Sequence, residues 1–228
     1  ASVGSASFLG IPGLSVLTDS LRDFSVAINT GLGDDNLTVM HLADAPLEVP
    51  TGGTPIILDF DGADHELLKI SGHIGFNVLD FFYIEGDIAF EKSSELLSLS
   101  DGTQVETNLL TVGASHLDAF VGVGGPGDQP GAIGLNLVDV NFALALLKPS
   151  DGQDTRSWMS MVVDVESAGF VGVEGLTLNV NDLKVQINTG NETDTVADFS
   201  EAPLEVMTGE DTSVNLTFDG NDGQQIKA

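Results

Sequence analysis

The chain of 228 residues contains no cysteine at all. That excludes a disulfide framework, a thiolate metal site and a cysteine nucleophile. Basic residues are nearly as scarce, with seven Lys and Arg against 35 Asp and Glu, for a formal net charge of −28. A surface so poor in Lys and Arg has little with which to release phosphate counterions, so nucleic acid and anionic lipid are excluded as partners. No apolar run is long enough for a membrane-spanning helix, because Gly, Asp and Asn interrupt each one. Residues 1–30 lack the basic stretch and unbroken apolar core of a signal peptide. One Trp and one Tyr are present, and no stretch of eleven residues carries a helical apolar stripe.

What is present is apolar, alternating and repeated. Hydrophobic residues make up 42% of the chain, enough to separate it from acidic disordered sequences. The phrase ASFLGIPGLSV at Ala6–Val16 returns as AGFVGVEGLTL at Ala168–Leu178. INTG at Ile28–Gly31 returns at Ile187–Gly190, APLEV at Ala45–Val49 at Ala202–Val206, and FDG at Phe60–Gly62 at Phe218–Gly220. ELLKI at Glu66–Ile70 matches the closing QQIKA. Self-similarity at a nearly fixed offset of about 160 residues is the mark of a tandem array. The chain is therefore divided into 1–70, the closing part of one repeat; 71–167, the middle; and 168–228, the start of the next copy, equivalent to 6–70. A one-off duplication inside a single domain is the alternative.

A finer plan sits inside the large one. FNVLDF at Phe76–Phe81, LNLVDV at Leu135–Val140 and LNVNDL at Leu178–Leu183 all read apolar, Asn, apolar, any residue, Asp, apolar. LSVLTDSL at Leu14–Leu21 resembles it with two residues inserted. On either side apolar residues alternate with period two, the pattern of strands: Leu176, Leu178, Val180, then Leu183, Val185, Ile187. The alternation slips by one at Asn181-Asp182, residues that tolerate tight-turn geometry. A bend there would keep one face inward. With 27 glycines and turn phrases such as PSDGQDT, SDGT and VPTGGTP, the chain reads as all-β with about fifteen to eighteen strands. The expected architecture is an elongated, β-solenoid-like stack of strand–bend–strand units sharing one continuous core. Tandem β-sandwich domains are the alternative.

AFVGVGGPGDQPGAIGL at Ala119–Leu135, FALALLKPSDGQDTRSW at Phe142–Trp158, FVGVEGLTLNVNDLKVQIN at Phe170–Asn188 and ISGHIGFNVLDFFYIEGDIAFEK at Ile70–Lys92 resemble repeat units of giant extracellular or surface repeat proteins of bacteria. Members of that class are described as adhesins or extracellular structural proteins. The resemblance implies a non-catalytic structural or adhesive segment of a long extracellular bacterial protein, able to form fibres. Its partners would be neighbouring repeats and further copies of itself. A carbohydrate- or cell-surface-binding module on the same scaffold is the alternative. In relatives of this type the loop after GVGG is longer and rich in Asp and Gly; here it is GGPGDQPGA with the single acid Asp128.

Calcium is the expected cofactor, if there is one. LDFDGADHE places Asp59, Asp61 and Asp64 around a glycine, and TFDGNDG offers Asp219, Asn221 and Asp222. Calcium takes six to eight oxygen ligands from flexible loops in which Asp and Asn alternate. The bland reading is a β-turn built from residues that turns prefer. Thr217 replaces Asp59 in the second copy, and neither loop carries the EF-hand pattern.

The remaining motifs point weakly. Gly122–Gly127 satisfies G-x-G-x-x-G, but Pro126, Asp128 and Pro130 oppose the helix a dinucleotide site needs. His41, His65, His73 and His116 lack zinc-ligand spacing, and no nucleophile elbow is present, so no catalysis is expected. Asn36-Leu37-Thr38, Asn191-Glu192-Thr193 and Asn215-Leu216-Thr217 match a glycosylation pattern expected by chance. Trp158 reads as a core residue. A groove lined by Trp158, Tyr83 or Phe82 would instead favour glycan binding.

Overall fold

The computed structural model describes residues 14–17, 20–31, 38–192 and 194–228. Residues 6–13 of the repeated phrase, Thr18 and Asp19 of LSVLTDSL, Asn36 and Leu37, Thr193 and the side chain of Asp64 lie outside the described part. Among the described residues the only helical elements are two three-residue 3₁₀ turns, Gly62–Asp64 and Gly220–Asp222. Everything else that is regular is strand. The N-terminal part carries β1 (Leu14–Val16), β2 (Arg22–Asn29), β3 (Leu47–Val49) and β4 (Ile56–Leu58). Six long strands follow: β5 (Leu67–Val78), β6 (Phe82–Ser98), β7 (Gln104–Val123), β8 (Ile133–Pro149), β9 (Ser157–Val171) and β10 (Asn179–Asn191). The chain closes with β11 (Leu204–Met207), β12 (Ser213–Leu216) and β13 (Gln225–Lys227).

Strands β5 to β10 pair in chain order as an antiparallel meander. Both β1 and β2 pair with β5, and β13 pairs with β10, giving one open nine-stranded sheet. β3–β4 and β11–β12 are separate two-stranded hairpins. The protein is all-β, as its alternation indicates. The stacked short coils of a solenoid are not seen among the described residues; long strands laid edge to edge take their place.

The reason lies in how the Asn-Asp plan is used. At Asn77–Phe81 it makes a hairpin turn, with Leu79 and Asp80 both at positive φ, the geometry of a primed turn. The Asn77 amide donates to the Asp80 carboxylate at 2.6 Å and its oxygen accepts the Asp80 N–H at 2.8 Å. At Asp139 and Asp182 the same plan makes no turn. Each Asp adopts positive φ inside its strand, as do Asp23 and His116, and the strand runs on. Leu137 and Val140 of β8, three residues apart, thereby join the same apolar cluster, as do Val165 and Ala168 of β9. Opposite Asp139 the register with β7 shifts on either side of Leu117, as at a bulge, whereas across Asp182 the register with β9 is kept.

The two faces of the sheet differ. On one, Leu109, Ala143, Ala145, Leu147, Trp158 and Val162 are buried beneath Ala197, Phe199, Val206, Leu216 and Phe218 of the chain's last part. Burying each large side chain of this set contributes about 1.5–3 kcal/mol. On the other face a row of apolar residues crosses strand by strand, from Val26 through Ile70, Phe90, Val112, Leu144, Met161 and Ile187 to Ile226. Phe90 and Ile226 there are exposed, as are Leu110 and Leu146 in the adjacent row. The accessible surface is 13305 Å². A compact monomer of this mass would expose about 9,800 Å².

Candidate functional site

The repeated phrases bring two copies of one substructure to opposite ends of the sheet. In the second copy, β10 is followed by the β11–β12 hairpin, which folds back over β6 to β9. Its entry segment is fastened to the turn between β6 and β7. The Ser100 N–H donates to the Val196 carbonyl at 3.0 Å, the Asp198 N–H donates to the Ser98 carbonyl at 2.9 Å, and the Ser100 hydroxyl accepts the Val196 N–H at 3.1 Å. Asn188, fully buried, accepts the Ser160 hydroxyl at 2.9 Å and donates its amide to the Ala197 carbonyl at 2.9 Å. Together these bonds hold the hairpin to the sheet it covers.

The seat itself is made of small residues. A Cβ at Gly113 in β7 would lie 2.1 Å from the Met207 carbonyl oxygen, so only glycine lets β11 come down this far. Ala143 and Ala145 continue the low floor across β8. Gly220 meets Ser100 in the same way, where an added Cβ would approach the Ser100 backbone to 2.9 Å.

The first copy has the same local structure and, among the described residues, none of the cover. Its hairpin pairs Leu47 with Leu58 and Val49 with Ile56, the register of Leu204 with Leu216 and Val206 with Val214. Asn29 donates to the Met40 carbonyl at 2.8 Å and accepts the Met40 N–H at 3.2 Å, as Asn188 holds Ala197. Yet Val49 is 37% exposed where Val206 is 0% exposed, and Met40 is 51% exposed where Ala197 is 0%. Phe24, Val26, Ile28, Leu47, Ile56 and Ile57 are exposed as well. Among the described residues β2 pairs with β5 on one side only, whereas its counterpart β10 pairs on both sides, with β9 and β13. This unpartnered edge and hairpin are the candidate site.

The residues expected to hold calcium fall in two matching loops. Asp61 heads the turn Gly62–Asp64 and accepts the Ala63 N–H at 2.9 Å; Asp219 heads Gly220–Asp222 and accepts the Asn221 N–H at 2.8 Å. Asn221 also donates its amide to Asp219 at 2.8 Å, and Lys227 reaches Asp222 at 3.3 Å. Asp59 is exposed, one strand end away from Asp61. The Asp61 and Asp219 carboxylates are thus engaged as turn acceptors, which is the bland reading of these loops. No group of three or more metal-ligating side chains forms among the described residues.

The other singled-out residues disperse. Trp158 is 2% exposed, under Arg156 at 5.2 Å and within 3.4 Å of the Thr195 hydroxyl. Tyr83 packs on Phe120 with ring centroids 6.2 Å apart, and it borders an open cleft of about 470 Å³ with Asp118, Gln129 and Asn136. Gly122 ends β7 with a close approach to Ile133 and Gly134, and no helix opens after it. His73 is held between Asp87 at 2.8 Å and Glu85 at 3.4 Å, while His41 lies 3.2 Å from both Asp44 and Asp61. The Asp44 hydrogen bond outweighs desolvation and, with the negative charge of Asp61, raises the His41 pKa above its ordinary value. At the equivalent position Asp198 is pushed up by burial. Hydrogen bonds from the Ser200 hydroxyl and N–H and from the Gly220 N–H overcome that push, and its pKa falls below the ordinary value.

Sequence reasoning did not single out Gly113 or the exposed face of β2 to β4. Small residues at every second position of two neighbouring strands, with Gly113 flanked by Thr111 and Ser115 and Ala143 by Ala145, were the available signal. Comparison with protein-family models, with curated proteins and with solved structures finds no match to this chain.

Proposed function

We propose that this chain is a non-catalytic structural segment of a long extracellular bacterial repeat protein, whose sheet passes from one repeat to the next without a break. One observation carries the reading. β13 lies on β10 with Ile226 opposite Ile187, as Leu68 of β5 lies opposite Ile28 of β2. On this reading β13 is the first strand of a second meander, hydrogen-bonded to the last strand of the first. Each repeat contributes six strand positions, and at a spacing of about 4.8 Å each unit advances about 29 Å along the sheet. Stability would then sum over units and their interfaces, as in other linear arrays. The charge of −28 supports a segment that stays soluble while extended. A surface location, fibre formation and contact with neighbouring repeats belong to the same reading.

The test lengthens the chain. Versions with one, two and three units (each unit residues 20–178, ahead of residues 179–228) are compared by small-angle X-ray scattering and thermal unfolding. The expected result is a maximum dimension growing by about 29 Å per unit with a rising Tm. A Tm independent of unit number, with scattering from jointed bodies, overturns the reading. The cleft beside Tyr83, with Asp118, Gln129 and Asn136, favours glycan binding as a second reading. Saturation-transfer NMR with simple sugars, compared between the parent chain and Tyr83→Ala, decides that point.

A further inference from the structure

We infer that the edge and hairpin formed by residues 22–29 and 38–60 are a docking surface for the sheet of a preceding copy of the same unit: β2 pairs with that unit's β9, and the β3–β4 hairpin seats on its strands β6 to β9. The inference rests on the structural-repeat reading and names the contact that joins two units. The second copy of the phrase shows the occupant directly. Residues 197–218 bury apolar side chains on β6 to β9, and β10 pairs along β9. Exposed Met40 and Val49 are the counterparts of buried Ala197 and Val206, and Leu47 and Ile56 those of Leu204 and Val214, which pack against the same cluster, on a hairpin of identical register.

The surface is built before its partner arrives. Asn29 is already buried and bonded to Met40, so β2 and residue 40 are tied together without a sheet beneath them. What the first copy lacks is a floor of the kind formed by Gly113, Ala143 and Ala145. Chain order explains the lack, since β10 to β12 cover the strands that precede them. Two contacts differ in size. Met40 stands where Ala197 is, and Leu42 where Phe199 is; each takes the Phe60 or Phe218 carbonyl in the same way, with Leu42 N–H at 2.7 Å and Phe199 N–H at 2.8 Å. One residue grows as its near neighbour shrinks, so part of the change in volume offered to the partner sheet is offset.

The experiment joins residues 1–178 to residues 20–228, which places a second copy of 22–60 directly after β9. Amide hydrogen exchange followed by mass spectrometry then compares the inner and outer copies within one molecule. The inner copy is expected to exchange about 100-fold or more slowly than the outer one, as docked strands do relative to exposed ones. Changing Gly113 to Val in the first unit alone should erase that difference and leave residues 181–218 at the C-terminal end protected. A chain carrying Met40→Ala with Leu42→Phe in the inner copy keeps the test decisive if the size exchange weakens seating. Equal exchange of inner and outer copies in both chains overturns the inference. A rod in the scattering experiment with an unprotected inner copy would sink this contact and leave the structural reading standing; jointed scattering would sink both. Protection of 22–60 in the single-unit chain that rises with concentration, together with dimers, would assign the surface to separate molecules and overturn a partner in the same chain.

Discussion

Residues 22–60 and 181–218 share their phrases, their hairpin register and their Asn pin, and they differ almost wholly in burial. The likeness shows that turn chemistry and the Asn29 and Asn188 bonds are enough to shape the segment locally. The difference shows that burial is supplied from elsewhere, by the strands lying just before the segment in the chain. A covered block therefore runs from β5 through β12, residues 67–218, and is offset from the repeat as the phrases mark it. Phrase and folded block have the same period and different starting points.

Paired truncations would break or sharpen this contrast. The largest effect is expected at the hairpin's aromatic residue. Phe218→Ala, in the buried cluster, should cost about 3–5 kcal/mol. Phe60→Ala, its less buried counterpart, should cost under about 1 kcal/mol. Chemical denaturation of both variants checks this, and equal losses would mean that the first hairpin is covered after all. A smaller effect is expected in the aspartate turns. Asp61→Ala and Asp219→Ala should each cost about 0.5–2 kcal/mol through a lost cap at the 3₁₀ turn. In the parent chain, calcium and magnesium at equal concentration should raise Tm equally by screening its charge. A calcium-specific increment that disappears in these variants would instead establish the two loops as calcium sites.

The smallest effect concerns pH, and its sign differs between the copies. The His41 pKa is raised above 6.5, so its contribution is complete below that value and is lost as pH rises through the folded pKa. The Asp198 pKa is lowered below 3.8, so its contribution is complete above that value and is lost as pH falls through the folded pKa. Acidifying from pH 8 to pH 5.5 should thus slow exchange, after correction for intrinsic rates, around His41 and leave the Asp198 segment unchanged. Further acidification below pH 3.8 should loosen the Asp198 segment. Exchange profiles at the three pH values check both signs, and a parallel response of the two segments would contradict the assignment.

The all-β class was legible because alternation along a strand reports one buried face directly, as in β7, where Leu109, Thr111 and Gly113 all turn inward. The repeat was legible as text. Strand length was harder to read, because Asp139 and Asp182 sit in the same local plan as Asp80, and only pairing with neighbours decides between a strand that runs on and a turn. The site was legible in part. Its phrases were plain, but Val49 and Val206 look alike in sequence and part company only through what the rest of the chain lays beneath them. Gly113 escaped notice because a glycine in a strand announces a close approach without naming what approaches.

The apolar row from Val26 to Ile226 lies on the side of the sheet that the hairpin does not cover. Neighbouring strands in a sheet rotate by about 20–25°, so six strands turn that row by about 120–150°. Along a file of units the greasy stripe would wind like the thread of a screw and return to the same bearing after about two and a half to three units. A filament of this kind would show grip points on every side, set at a regular pitch.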